Sequence, residues 1–181
     1  MIPFRQLQNK RIKNSVFGFA LAVCVCFLIT SCVRSKPRVR LDKYPQAPDF
    51  ALTSIDGGRV SLSSFIGKVV ILEFWYSWDP LSKKQAEYLQ YIQNIYSKRG
   101  VVILAVVMDE GSLYPAKLFI KKFAITYKVL IGEKYVYELY GGIKSFPTIL
   151  IIDRQGRIYG KGFGLQKLDI LEPVILKLLE E

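Results

Sequence analysis

Three short runs of β-branched and aromatic residues constrain the fold of this 181-residue chain most. They cover residues 69–75, 101–108 and 148–152, and each is apolar almost throughout, which is typical of strands buried on both faces of a sheet. Glu73 is the one charged residue within them. Strands of this kind need helices on both sides, so the runs predict an α/β domain built on one central sheet.

The segments between the strands predict the helices that cover the sheet. Apolar residues at helical spacing mark 80–98, which Gly100 should end, and 113–123 and 133–140 are predicted as further helices on either side of a short apolar segment. A last helix has apolar residues at Leu171, Val174, Ile175, Leu178 and Leu179, with Pro173 near its start or at a kink. Aromatic residues at this spacing are usually core residues, so Tyr88 and Tyr91 are predicted to face inwards.

Two glycine-containing turns predict hairpins at the two ends of the domain. The turn at 56–58 lies inside a predicted N-terminal β-hairpin over 47–62, and the turn at 153–156 joins two strands within 148–163. Strands that alternate with helices, followed by a terminal hairpin and helix, predict an α/β sandwich about one central sheet.

The N-terminus has the pattern of a bacterial secretory signal. Residues 16–30 are uncharged and mostly apolar, and the basic residues before them are Arg5, Lys10, Arg11 and Lys13. The sequence Ile-Thr-Ser-Cys that ends at Cys32 resembles a lipobox, in which the cysteine is lipidated and becomes the first residue. We therefore predict a lipoprotein signal peptide over 1–31, a lipidated tether over 32–46 and a folded domain over 47–181.

An uncleaved membrane helix is the alternative to a lipid anchor. The uncharged stretch 16–33 has about 18 residues, which is near the lower limit for spanning a bilayer. Both alternatives place the domain outside the cytoplasm, at a bacterial cell envelope, because the basic flank precedes the apolar run. Val33 stands where such lipoproteins commonly have an Asp that retains them in the inner membrane. In a two-membrane cell, an outer-membrane location is therefore an alternative.

The chain is basic, which raises the question of whether nucleic acid or anionic lipid is its partner. Formal net charge is +11, and loss of residues 1–31 leaves 22 basic and 15 acidic residues, a net charge of +7. Nucleic acid is an implausible partner for an exported and tethered domain. The basic tether contains Arg34, Lys36, Arg38, Arg40 and Lys43, which would either contact anionic lipid, at up to about 1 kcal/mol each, or form a solvated linker.

Residues 74–82 carry the most specific motif. They read F-W-Y-S-W-D-P-L-S and resemble the F-W-A-x-W-C-P-P-C run of membrane-anchored, thioredoxin-like thiol-disulfide reductases of the TlpA and ResA type. The opening of the domain, with A-P-D-F-A-L at 47–52 and V-S-L-S-S-F-I-G-K at 60–68, resembles the start of the same redoxin family. The F-P-T-I-L-I-I-D segment at 146–153 resembles its x-P-T-x-x-x-I-D motif. The resemblance implies an α/β, thioredoxin-like fold, with a central mixed β-sheet flanked by helices and an N-terminal β-hairpin.

The same resemblance implies a degenerate redox site. It places Asp79 and Ser82 where the family has its two cysteines, and it makes Glu73 the remnant of a buried acid that serves the second cysteine. It also implies that Pro147 is cis and faces the start of the active-site helix, with the backbone of Phe146 exposed to an extended peptide.

The chemistry of these residue types does not support disulfide exchange. The reaction needs a thiolate and a resolving thiol, and neither a carboxylate nor an unactivated alcohol replaces them. The chain has no histidine, and Cys24, Cys26 and Cys32 all precede the predicted domain. Asp79 followed by Pro80 is instead a favourable helix start, with the carboxylate as N-cap.

No metal or cofactor is predicted. Asp109 and Glu110 follow the second strand and could form a small acidic group with Asp79, but these offer too few oxygen ligands for a hard cation. Soft metals would lack both Cys and His ligands. Glu73 is predicted to be at least partly buried, and a buried carboxyl without compensation should have a raised pKa.

Two classes of function follow from these expectations. The first is a redox-inactive binding or scaffolding module with a protein or extended-peptide partner. Its predicted groove consists of Trp78, Asp79, Pro80, Phe146 and Pro147. The alternative is a thiol-disulfide oxidoreductase or peroxidase-like redoxin that works through an unrecognised residue.

Overall fold

A computed structural model describes residues 44–181 of the chain. The predicted signal peptide, the lipidation site Cys32 and the tether as far as residue 43 lie outside these residues. No helix within the described residues is long and apolar enough to cross a membrane.

A five-stranded mixed sheet forms the centre of the domain, as predicted. Its strand order is β5-β4-β3-β6-β7, with β3 parallel to β4, β4 parallel to β5, and β6 antiparallel to both β3 and β7. The strands are β3 (Val69–Trp75), β4 (Val101–Val107), β5 (Lys128–Ile131), β6 (Thr148–Ile152) and β7 (Ile158–Phe163). Every residue of β3 is buried, which agrees with its continuous apolar sequence and its central place.

The predicted hairpin precedes the sheet. Strand β1 (Ala51–Thr53) pairs antiparallel with β2 (Arg59–Ser61), and a 3-10 helix, Leu62–Phe65, follows. The amide of Ile55 donates to the carbonyl of Val129, 2.9 Å away, which fixes the hairpin to β5.

Within residues 44–181, four α-helices cover the sheet: α1 (Pro80–Tyr96), α2 (Tyr114–Lys122), α3 (Lys134–Leu139) and α4 (Leu168–Glu180). Each lies within two residues of its predicted bounds where these were stated. After α1 and a 3-10 turn the chain reverses at Gly100, whose φ of 99° is in the left-handed region that glycine tolerates. Pro173 lies inside α4 rather than at its start.

Two apolar cores lie on opposite faces of the sheet. One packs α1, α2 and α4 onto residues such as Ile71 and Ile149, and the other packs the N-terminal hairpin and α3 onto residues such as Leu72 and Leu150. The prediction that Tyr91 faces the core is wrong, since its side chain is 44% exposed, and Tyr88 is only half-buried. Leu89 and Ile92 occupy the inward face of α1, which turns the tyrosines outwards.

The chain enters the domain at one edge of the sheet, and the strand ends with the predicted site residues lie at the other. Tyr44 packs on Tyr159, with ring centroids 4.7 Å apart, and the carbonyl of Pro45 accepts from the amide of Ile158. These contacts lie next to the first residues of β3, because Ile152 pairs with both Ile158 and Val70. A seven-residue strand spans roughly 20 Å, which separates the tether from the site.

Candidate functional site

A row of three aromatic side chains marks the edge of the sheet where β3 ends and β6 begins. The ring of Tyr76 stacks on Trp78 at 4.9 Å between centroids and meets Phe146 edge-on at 4.5 Å. Trp78 is 67% exposed although it is the largest kind of side chain in the protein. The row joins two of the predicted groove residues through a tyrosine that the prediction had not included.

Hydrogen bonds tie the loops at this edge together. The amide of Ser77 donates to Asp109 Oδ1 at 2.9 Å, which joins the loop after β3 to the loop after β4. The amide of Gly132, after β5, donates to the carbonyl of Val107 at 2.8 Å. A Cβ atom on Gly132 would lie 2.6 Å from the backbone carbonyl oxygen of Val107, so only glycine permits this close approach.

Asp79 is the N-cap of α1, as predicted. Its Oδ2 accepts from the amide of Ser82 at 2.6 Å, and Pro80 is the first helical residue. An N-cap of this kind contributes about 1 kcal/mol to stability. The Asp79 carboxylate is therefore engaged by its own helix, and neither Asp79 nor Pro80 is among the residues that line the cavities described below.

Ser82 lies beneath the start of α1. It is 1% exposed, and its Oγ has no hydrogen-bond partner among the described residues. No cysteine or histidine occurs after residue 32. The helix start thus carries one accessible carboxylate and one buried hydroxyl, with no base of the usual kind to activate the hydroxyl.

Glu73 is buried in the middle of β3, more completely than predicted. It is 2% exposed, and its Oε1 has no hydrogen-bond partner within residues 44–181. Burial, and then the negative charge of Asp79, raise the pKa of Glu73 to about 8. A neutral carboxylic acid therefore lies under the helix start at neutral pH.

The Phe146–Pro147 peptide bond is cis, as predicted. The carbonyl of Pro147 accepts from the amide of Gly164 at 2.7 Å, which holds the turn against the end of β7. Within residues 44–181, no hydrogen bond involves the backbone amide or carbonyl of Phe146. An unpaired backbone segment beside an exposed aromatic row is a surface to which an extended chain can pair.

Two adjoining cavities extend from the aromatic row along the strand ends. The larger has a volume of about 680 Å³. Its lining residues include Tyr76, Met108, Leu113, Ile131, Tyr137 and Phe146. The smaller, of about 440 Å³, shares Tyr76, Asp109 and Glu110 with it. Together they form an open groove with an apolar side and an acidic side, and Lys134 also lines the larger cavity.

The structure brings some of the residues predicted for a peptide groove together at these cavities. Trp78 and Phe146 lie on it, and Pro147 adjoins it, whereas the side chain of Asp79 caps a helix. Tyr76 and Tyr137 were missed. The available signal was that parallel strands end at one edge, so residues just after β3, β4 and β5 must be neighbours.

In the part of the chain that the structure describes, the acidic residues at these strand ends do not gather into a metal site. No group of three or more His, Cys, Asp or Glu side chains within residues 44–181 could hold an ion. Asp109 instead accepts from the Ser77 amide.

The fold and the site together define a thioredoxin-like domain. Its diagnostic features are a mixed sheet, a capped helix that starts directly after the central strand, and a cis-proline before β6 at the same edge. More narrowly, the chain belongs to the AhpC/TSA family, whose profile matches residues 45–161.

Known relatives agree with this assignment. The chain is 32% identical over 174 residues to thiol-disulfide oxidoreductase ResA of Bacillus cereus, which covers 94% of this chain and 98% of ResA. Thioredoxin-like protein YneN of Bacillus subtilis is 31% identical over 144 residues, covering 75% and 84% of the two chains. A DsbE-type thiol:disulfide interchange protein from Chlorobium tepidum superposes with a TM-score of 0.70 at 33% identity, covering 77% of this chain and 99% of that one. The predicted family and fold are confirmed.

Proposed function

We propose that this protein is a redox-inactive member of its family that binds extended peptide segments of other proteins at the bacterial cell envelope. One observation supports this proposal most. The aromatic row Trp78–Tyr76–Phe146 and the unpaired backbone of Phe146 lie beside a helix start that has no thiol. Backbone pairing and aromatic contacts need no cysteine, so binding can persist without disulfide exchange.

The helix start supports the loss of chemistry. In the family pattern its first and fourth residues are the reactive pair, and here they are Asp79 and Ser82. Asp79 keeps a negative charge at the helix N-terminus, where a thiolate would be stabilised, and uses it to cap the Ser82 amide. The fold of the site is thereby retained while its nucleophile is absent.

A lipid anchor at Cys32 would orient the groove. The tether would join the domain beside Tyr44, at the sheet edge opposite the aromatic row. A partner arriving from outside the membrane would then meet the groove rather than the anchor. Removal of the signal peptide and lipidation of Cys32 would also leave no free thiol in the mature chain.

Calorimetry with a defined peptide tests the binding function. We expect a pentapeptide of alternating threonine and valine, acetylated and amidated at its ends, to bind the full chain in detergent micelles. The Trp78→Ala variant should bind this peptide about tenfold more weakly. Because Trp78 is 67% exposed, the same variant should change the free energy of unfolding by less than about 1 kcal/mol.

Tyr91→Ala is the matched control. It also removes an exposed aromatic ring, but from the outer face of α1 and not from the groove. It should leave the affinity unchanged. Absence of measurable binding by the unmodified chain, or an equal loss in both variants, would reject the groove as the peptide site.

A further inference from the structure

The smaller cavity differs from the rest of the groove in its chemistry. It has a volume of about 440 Å³ and lies between the loops that follow β3 and β4. Its lining residues are Tyr76, Ser77, Trp78, Asp109, Glu110, Ser112 and Pro115. Two of these carry carboxylates and none carries a positive charge, so the cavity combines aromatic walls with an acidic lining.

Two buried polar atoms of the residues that line this cavity lack hydrogen-bond partners within the described residues. Ser77 is only 6% exposed, yet its Oγ is unpaired within the described residues, and so is the buried Oδ2 of Asp109. The other oxygen of Asp109 accepts from the Ser77 amide at 2.9 Å, which fixes the orientation of the carboxylate. Buried polar atoms are nearly always paired in native proteins, so this arrangement favours a ligand that donates hydrogen bonds.

The electrostatics of the aromatic wall agree with a cationic ligand. Burial is the main cause of the raised pKa of the Tyr76 hydroxyl, and nearby acidic groups, Glu110 first, raise it further. The carboxylates of Glu110 and Asp109 give this wall a negative potential. Tyr76 and Trp78 also present stacked rings, 4.9 Å apart, on which a planar cation can lie.

We propose that this cavity binds the guanidinium group of an arginine side chain in the extended peptide that the groove holds. Arginine offers five donors in a planar fork, so it can donate to the carboxylates of Glu110 and Asp109 that line the cavity while its face lies against an aromatic ring. A lysine ammonium is compact and strongly hydrated, and it cannot stack in this way. This inference rests on the proposed function and adds selectivity for one side chain to it.

Three versions of one peptide test the inference by calorimetry on the full chain. The threonine–valine pentapeptide carries arginine, lysine or citrulline at its centre. Citrulline has nearly the shape of arginine without its charge. We expect the arginine peptide to bind about tenfold more tightly than the citrulline peptide, with the lysine peptide between them. Asp109→Asn should abolish the arginine preference, and Glu110→Gln, at an exposed position, should reduce it to about threefold.

Asp56→Asn is the control, because it removes one charge from an exposed residue in the hairpin turn. It should leave the preference intact. The arginine preference is the ratio of the affinities of one variant for the arginine and citrulline peptides. Partial unfolding weakens the binding of both peptides equally, so it leaves this ratio unchanged. Equal affinity of the arginine and citrulline peptides for the unmodified chain would overturn the inference and leave the proposed function standing. Failure of all three peptides to bind would overturn both.

Discussion

Replacing Glu73 by glutamine should stabilise the protein at alkaline pH by on the order of 3 to 5 kcal/mol and remove most of the pH dependence of its stability between pH 5 and 9. The native carboxyl is buried without a hydrogen bond to Oε1 from the described residues, and its pKa is raised to about 8. An amide of nearly the same shape cannot ionise, so it avoids the cost of burying a charge.

Proton binding by the folded and unfolded chain determines whether stability rises or falls with pH. The folded chain binds more protons than the unfolded chain between the ordinary pKa of 4.5 and the raised pKa of about 8. Stability should therefore be complete below about pH 4.5, fall as pH rises to about 8, and stay low above that value. At pH 5 the variant and the native chain should differ by less than about 1 kcal/mol, because Glu73 is protonated when folded.

Urea unfolding of both proteins at pH 5, 7 and 9, followed by tryptophan fluorescence, measures the effect. Asp56→Asn makes the same change in charge at an exposed site and should leave the pH dependence as it is. Parallel pH profiles for the native chain and Glu73→Gln would mean that Glu73 is ionised in the folded protein at neutral pH.

The double change Asp79→Cys with Ser82→Cys should create a dithiol that closes into an intramolecular disulfide. Asp79 is the N-cap of α1, and Ser82 lies three residues further on, buried in the first turn of the helix. The helix N-terminus should lower the pKa of the first thiol, and Glu73 would lie below the second as a proton acceptor. Loss of the Asp79 cap should cost about 1 kcal/mol, which the fold can tolerate.

Mass spectrometry after mild oxidation detects this bridge. Trypsin releases residues 69–83 as one peptide, which contains both new cysteines and none of the native ones. The peptide should be lighter by the mass of two hydrogens than its reduced form. A variant that folds normally but never forms the bridge would show that Asp79 and Ser82 do not correspond to the redox pair of the family.

Most of the fold could be predicted because its signals are local. The apolar sequence of β3 and the turns at Gly57 and Gly156 each determine their structure through neighbouring residues, and the observed elements agree. The wrong prediction for Tyr91 has a simple cause. Helical spacing identifies the residues that share a face, but Leu89 and Ile92 already fill the inward one.

The site was less predictable because it is assembled from separate strand ends. Trp78 and Phe146 were identified through a family pattern, whereas the neighbours that make them a groove are distant in sequence. Ser77 and Asp109 are 32 residues apart and meet through one hydrogen bond. Nothing local in the sequence showed that Ser77 Oγ and Asp109 Oδ2 would be left unpaired beside Trp78.

Catalysed reduction of insulin disulfides by dithiothreitol tests the central claim most directly. The full native chain is compared with a blank without protein, with a cysteine-bearing relative of the ResA type, and with the double-cysteine variant. Since residues 44–181 contain no thiol, the account predicts that the native chain reduces insulin at the rate of the blank, while the relative exceeds it. A native rate clearly above the blank would contradict the claim that this protein has lost redox chemistry.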